Sequence, residues 1–501
     1  MQLRNEFIGK GLIIWGISLV IALILFKLPA GFSFSVASAI ILSALVGVIV
    51  VTLVARGSQE KGFLLKIFLG SFFSRVFVAI VLYALLLALG GDGFVFSDDR
   101  QYDLMAWGMA KAWRQGQQYF GPSLAYANPG YNYMNALIYF IFGHNTLASR
   151  IVNCLLGSLM IIYIYQISKY FFGQTVAKIA SLLTAFFPLL ILWSAVQFKD
   201  TIVAFLIIFI INSLLKFQQK KSALSTLGII LGLPILLTFR KAIFGPLLFF
   251  IIIYLIYLYS SRRINFRQIV FGLMFLILTG FILQRMGYGF LGLKTYEKGY
   301  NIIEEMRECY RIQETAAPGS FVYTIWRHDP STEPYYIPIS FMFVLLNPFP
   351  PWQLRAWDFH HFFQNLLTVA NTAWLFFLMP CCFYGIYYSI RNRIRDSFLL
   401  YSVWFSILFG YALAFAGGSC RQMVQSMPIS MIFSAVGVLE YKKWRQAFWL
   451  YIFCFLGGGS FLYIYLKYLG NLGMKSAFTG AIFIAIILAF LSQWKKISKG
   501  R

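Results

Sequence analysis

The sequence predicts an all-α polytopic membrane protein, with about 14 transmembrane helices and interfacial helices in long extracytoplasmic loops. Three observations carry that expectation. Of 501 residues, 60% are hydrophobic and only 12% charged, which excludes a disordered chain and an ordinary water-soluble globule. The apolar residues gather into runs of about 20, the length a helix needs to cross the hydrocarbon. The 42 Lys and Arg and the 17 Asp and Glu, a net charge of +25, sit mostly between those runs.

Taken in order, the expected spans are 11–28, 32–54, 66–89, 146–168, 176–197, 201–217, 223–239, 243–260, 269–283, 362–390, 397–417, 425–441, 447–466 and 478–494. Threaded alternately, they place both termini and the turns after the even-numbered spans on one side. Those segments and the turns bordering them hold 23 of the Lys and Arg but 4 of the Asp and Glu, so the clusters Arg262, Arg263, Arg267; Arg391, Arg393, Arg395; and Lys442, Lys443, Arg445 mark the cytoplasm. The excess positive charge thus reads as topology and attraction to anionic membrane lipids. No soluble basic domain exists to hold a nucleic acid. A cleaved signal peptide is the rival reading of the first run, because Val36-Ala37-Ser38-Ala39 follows it. A second apolar stretch comes at once, however, and uncleaved parity keeps every basic loop inside. Cys154, Cys381, Cys382 and Cys454 fall in spans and read as small buried hydrophobes, which leaves Cys309 and Cys420 as the pair outside. The organisation is then two N-terminal spans in 1–65, a membrane core in 66–283 with a first outer loop at 91–145, an outer loop or small cap at 284–361, and C-terminal spans in 362–501.

Polar chemistry concentrates in two outside segments too long to be mere connections, about 55 and about 78 residues. The first contains Ser97-Asp98-Asp99-Arg100-Gln101-Tyr102-Asp103. Ser97 or Asp98 there is placed to cap a helix whose apolar stripe is Tyr102, Met105, Ala106, Met109 and Trp113. After Asn128-Pro129-Gly130-Tyr131, the run Tyr133 to Phe142 is too short to cross and is laid in the outer interface. A short outside turn, Gln197-Phe198-Lys199-Asp200-Thr201, sets a carboxylate beside a lysine at the membrane edge. That pairing is costly to desolvate unless the two charges or a ligand offset one another, though Asp200 also suits a helix cap. Arg150, Arg240, Lys241, Arg355 and Arg421 could each bind a phosphate or simply snorkel. Arg75, inside a span, either pairs within the bundle or marks function.

Other signals are set aside. Gly287-x-Gly289-x-x-Gly292 lacks a surrounding βαβ unit, His360-His361 lacks metal-ligand spacing, and no Walker A pattern occurs. Paired outer acids could hold a divalent cation, but they offer fewer than three clear ligands, so neither a metal site nor a cofactor is assigned.

The order of features resembles the GT-C superfamily of polytopic glycosyltransferases, particularly the branch of protein O-mannosyltransferases and lipid A aminoarabinose transferases. The resemblance rests on Asp98-Asp99-x-x-Tyr102, Asn128-Pro129-Gly130-Tyr131 with Phe142-Gly143, Arg150 opening a span, Phe172-Gly173 with Ala177, Pro188, and Lys199-Asp200. It covers roughly residues 66–260, and more weakly Asn347 to Trp352 and Arg421 to Pro428. It implies a transferase that takes a sugar from a polyprenyl-phosphate carrier to a glycan, lipid or protein acceptor of the cell envelope, on the extracytoplasmic side of the plasma (inner) membrane. It implies a catalytic acid in the first loop, at Asp98 or Asp99, and another at Asp200. Relatives often carry Glu where this chain has Asp99, and two extra spans precede the usual first one.

The residues suit that reaction. An acceptor hydroxyl or amine must lose a proton as it attacks the anomeric carbon, and a carboxylate can take it. The leaving lipid phosphate needs cations, which Lys199, Arg240, Lys241 or Arg421 could supply, and the resemblance implies further substrate-binding residues at Tyr102, Tyr131 and Arg150. Displacement with a single carboxylate inverts the anomeric centre. Two rivals share the habitat. A transporter or flippase for lipid-linked glycans would place ionisable groups near the midplane in repeated halves, and no repeat is visible. A polysaccharide polymerase or ligase would rely on outer-loop arginines and histidines, which 284–361 contains.

Overall fold

A computed structural model describes residues 30–117, 129–220, 223–261, 361–394, 396–415 and 421–453, with isolated positions at 16, 274, 277, 280, 281, 341, 344 and 345. Among the described residues the regular structure is helical throughout, with no strand. Among the described residues, six helices are long and apolar enough to cross a membrane: Phe34–Val54, Lys61–Ala88, Thr146–Phe186, Asp200–Gln219, Ile243–Ser260 and Phe362–Arg391. Ser225–Phe239, Phe398–Ala412 and Met427–Leu439 are shorter apolar helices. The chain is a multi-pass membrane protein. The expected span 478–494, nearly all of 11–28 and of loop 284–361, and most of 269–283 and 447–466 lie outside the described residues, as do Asn128, Cys309, Cys420 and the cluster at Arg262 to Arg267.

The chain forms two units. The first is built on residues up to Tyr170, from Ser181 to Lys298 and from Ala356 to Gln364; the second on Phe171–Ala180, Gly299–Arg355 and from Asn365 onward. In the first unit, α1 (Ala30–Val54) and α2 (Lys61–Ala88) form a hairpin. The inward face of α2 repeats at three and four residues through Leu64, Ile67, Phe68, Ser71, Phe72, Arg75, Val76, Ala79, Leu82 and Leu86. Next come α3 (Ser97–Arg114) and α4 (Gly130–Phe142), packed on each other. At 13 residues α4 is about 20 Å long and stops short of a span.

The sequence separated spans 146–168 and 176–197 by a loop. The structure divides α5 (Thr146–Phe186) at the expected place, where non-helical backbone at Gly173 (φ 83°) kinks one helix into the next with no intervening loop, and it breaks the second span midway. Glycine adopts that left-handed φ without a Cβ penalty, so the helix can re-aim there and resume at once. Asn145 starts α5 by accepting from the Leu147 and Ala148 amides at 3.0 and 3.3 Å. The later break falls at extended Phe187 before Pro188, which opens the short helix α6 (Pro188–Ser194). Arg75 reaches this break from α2. It donates to the Thr184 carbonyl at 2.9 Å, to the Leu190 carbonyl, and to the Ser194 and Ser71 hydroxyls at 2.8 and 3.0 Å. A guanidinium inside a span is thereby satisfied by carbonyls that a broken helix leaves open. Helices α7 (Asp200–Lys220), α8 (Ala223–Phe239) and α9 (Lys241–Ser260) complete this unit.

The second unit takes up α10 (Phe362–Ala373) from Asn365 onward, and that helix leads through a π-helical turn, Trp374–Leu378, into α11 (Met379–Arg391). Pro380 cannot donate, and the widened turn frees carbonyls. The Ser434 hydroxyl takes that of Leu378 and the Tyr451 hydroxyl that of Leu375, both at 2.9 Å. The other helices are α12 (Phe398–Phe415), α13 (Arg421–Val424), α14 (Met427–Leu439) and α15 (Tyr441–Phe453). Helices α11 and α14 touch backbone to backbone: a Cβ at Gly385 would lie 2.1 Å from the Phe433 carbonyl oxygen.

Candidate active site

The site is built where the start of α3 meets the turn before α7. Sequence reasoning placed the α3 cap on Ser97 or Asp98; the structure gives that work to Asp99. Phe96 is the extended residue that enters the helix (φ −140°, ψ 170°). The Asp99 carboxylate folds back to accept from the amides of Val95 at 2.8 Å, Phe96 at 3.0 Å and Arg100 at 3.1 Å. These are donors that a helix start otherwise leaves open. Asp99 is wholly buried, whereas Asp98, one position earlier, is only half-buried. Burial pushes the Asp99 carboxyl above its ordinary range, while the three amides and the charge of Arg150 pull it back.

Arg150 approaches from the first turns of α5. It is wholly buried, donates to the Gly93 carbonyl, and lies 5.3 Å from the Tyr83 ring centroid. Gly93 has φ 84°, and a Cβ there would come 2.2 Å from the Tyr83 ring. Glycine is thus required on both counts, and the chain leading to Asp98 is fixed by Arg150, Tyr83 and Asp99 together. The Nε and Nη1 atoms of Arg150 are buried without hydrogen-bond partners. Each has a desolvation cost that the arrangement must offset elsewhere.

The two loops are joined by aromatic rings. Phe198 sits 5.7 Å from Phe96 and 6.4 Å from Tyr102, and Trp193 and Phe363 extend the cluster. Tyr102 stands edge-on to Tyr131 at 5.0 Å, and Tyr131 meets Phe239 at 6.4 Å. The Lys199 ammonium lies 5.6 Å above the Tyr102 ring. The residues that bracket Asp98 and Asp99 therefore carry the turn that holds Lys199 and Asp200. Both Lys199 and Asp200 are buried, and Asp200 is the first residue of α7. Arg240, also buried, follows Phe239 and enters α9. Tyr131 is fully buried, and its hydroxyl accepts from Asn153 at 3.1 Å. Burial holds that phenol above its ordinary range, so it stays protonated.

Of the residues singled out in the sequence, Asp98, Asp99, Tyr102, Tyr131, Arg150, Lys199, Asp200 and Arg240 are thus parts of one unit. Lys241 opens α9 and Arg421 opens α13 in the second unit, and the side chains of both lie outside the described residues. Among the described residues, no group of three or more His, Cys, Asp or Glu side chains is placed to hold a metal ion. Sequence reasoning missed Asp103, Tyr139, His144 and Gln197, which hydrogen-bond to one another beside this site. The available signal was Asp103 standing four residues after Asp99, on the same helix face.

Residues 122–284 match the family model for dolichyl-phosphate-mannose-protein mannosyltransferases. The match covers 163 of the 501 residues. The matched segment takes in Tyr131, Arg150, Lys199, Asp200 and Arg240 and begins after α3. Among solved structures, the chain is similar to ArnT from Cupriavidus metallidurans bound to undecaprenyl phosphate, with 12% identity over 83% of this chain and 75% of that one and a TM-score of 0.45. It is also similar to ArnT from the same organism in the apo state, with 13% identity over 73% and 76% and a TM-score of 0.34. No curated protein matches its sequence.

Proposed function

We propose that this protein is a glycosyltransferase that takes a sugar from a polyprenyl-phosphate carrier and attaches it to an acceptor hydroxyl or amine on the extracytoplasmic face, with inversion. Asp98 accepts the acceptor's proton as the new bond to the anomeric carbon forms on the side opposite the leaving group. The bond from that carbon to the phosphate oxygen breaks, and its electron pair departs with the phosphate. Lys199 and Arg240 offset the charge that builds there, in a setting where little water competes for them. Asp200 aligns Lys199 and the incoming acceptor. Asp99 serves the helix start and Arg150 the loop, while Tyr102 and Tyr131 form a firm aromatic floor. The acceptor is a glycan, lipid or protein of the cell envelope, and the concentration of basic residues in the alternate loops puts both termini in the cytoplasm.

One observation supports this reading above others: Phe198 and Lys199 rest on Phe96 and Tyr102, so the first-loop acids and the Lys199-Asp200 turn belong to one constellation. Early acids that meet a second loop suit single-carboxylate displacement, whereas a transporter would need them near the midplane. Purified protein in lipid vesicles, given radiolabelled polyprenyl-phosphate sugars with hydroxyl and amine acceptors, should move label from one of these donors to acceptor and release polyprenyl phosphate. Folded protein that transfers label from none of them contradicts the proposal.

A further inference from the structure

Four polar side chains that the proposed chemistry leaves unused form a continuous line of hydrogen bonds. His144 Nε2 lies 2.8 Å from Asp103 Oδ2, the Tyr139 hydroxyl donates to Asp103 Oδ1, and Gln197 Nε2 donates to the Tyr139 hydroxyl at 2.9 Å. The four come from separate places: the α4–α5 turn, α3, α4 and the turn before α7. Asp103, Tyr139 and Gln197 are buried, while the His144 side chain is 41% exposed. The His144 ring stacks on Trp107 at 4.8 Å and meets Tyr139 edge-on at 5.3 Å. Arg114 lies over Trp107 and donates to the carbonyls of Tyr139 and Phe140, each at 2.9 Å, fixing the end of α4.

A carboxylate buried this deeply is tolerable only if its oxygens are used, and both are. Burial, with the Asp103 charge added, holds the Tyr139 phenol well above its ordinary range. Tyr139 therefore keeps its proton for Asp103 and offers its lone pairs to Gln197, which gives the line one direction. The remaining amide oxygen of Gln197 is buried without a hydrogen-bond partner, so the link to Tyr139 is the hydrogen bond that holds this side chain. Gln197 is two residues from Lys199 and three from Asp200.

We infer that His144, Asp103, Tyr139 and Gln197 are positioning residues of the transfer reaction: a buried carboxylate on α3, acting through Tyr139, sets where the Lys199-Asp200 turn sits. The inference rests on the transferase reading and adds a second tie between α3 and that turn, independent of the aromatic contacts. It assigns work to groups that touch neither sugar nor phosphate.

Tyr139→Phe keeps the ring and cuts both links at once. Its kcat for sugar transfer should fall about tenfold, in proportion to the one or two hydrogen bonds lost, with donor KM changed much less. Gln197→Leu should fall similarly, and the double variant should be no worse than either, because all break one line. Asp103→Asn, which still accepts from Tyr139, should recover most of the rate lost in Asp103→Leu. Unchanged kcat in Tyr139→Phe, or losses that multiply in the double variant, would overturn the inference. Backbone hydrogen exchange over residues 197–203 reads the same claim without catalysis. Faster exchange in Tyr139→Phe supports the tie and equal exchange refutes it, even if the wild-type protein transfers no sugar and the transferase reading itself fails.

Discussion

Arg75 donates to the Thr184 carbonyl at 2.9 Å, the acceptor that a regular helix would give to the backbone amide of residue 188, where this chain has Pro188. A lone arginine in an apolar span looks functional in a sequence. Here it is the substitute donor for a proline break, and the break turns the chain towards Gln197 and Asp200. Arg75→Met should lower the thermal unfolding temperature of the solubilised protein, because at least two buried carbonyls lose a donor at about 1–3 kcal/mol each. Arg75→Lys should recover only part of this, since an ammonium does not reproduce the guanidinium fork. A fully stable Arg75→Met protein would show that the break needs no donor.

Gly93 and Gly90 separate strain from collision. Both have φ 84°, but a Cβ at Gly90 meets nothing within 4 Å, whereas one at Gly93 strikes Tyr83 at 2.2 Å. Gly90→Ala should cost about 1 kcal/mol of stability and leave transfer nearly intact. Gly93→Ala should displace the loop held by Arg150 and reduce transfer at least about tenfold, as small misplacements of a reacting group do. Comparing transfer rates of the two variants at equal folded protein decides it.

Asp99 makes the stability of the protein depend on pH in a defined direction. Its folded carboxyl is held above the ordinary range, chiefly by burial, so the folded state binds that proton more tightly than the unfolded chain. The group therefore favours folding below the unfolded pKa, and that advantage disappears as pH rises through the folded value. Unfolding of wild type and Asp99→Asn, compared at about pH 7 and about pH 4, should show the difference shifting towards wild type in acid. Asp99→Ala, which loses all three amide contacts, should be less stable at both, by about 1–3 kcal/mol. A difference independent of pH would contradict the stated role of burial.

Much of this was legible in the sequence, for identifiable reasons. Apolar runs of span length announce themselves, so α1, α2, α7, α8 and α9 fall close to the expected ranges. The acids of the first loop and the Lys199-Asp200 turn stood out because charges are rare in this chain. Capping was misplaced because Ser97, Asp98 and Asp99 are all good helix-start residues, and only backbone geometry decides which one turns back. The boundary inside α5 was legible at Phe172-Gly173, but a single positive-φ glycine makes the kink there and the next helix follows at once. The line from His144 to Gln197 joins residues up to 94 positions apart in the chain, and no local pattern announces such a pairing.

The most direct test of the account is the sugar-transfer rate of Asp98→Asn beside Asp99→Asn, in the same vesicles and at matched amounts of folded protein. Asp98→Asn should lose about 10²–10⁴-fold, the usual contribution of a general base, while Asp99→Asn, whose amide oxygen still accepts backbone bonds, should retain most of its rate. Full activity in Asp98→Asn, or an inactive Asp99→Asn beside an active Asp98→Asn, would contradict it.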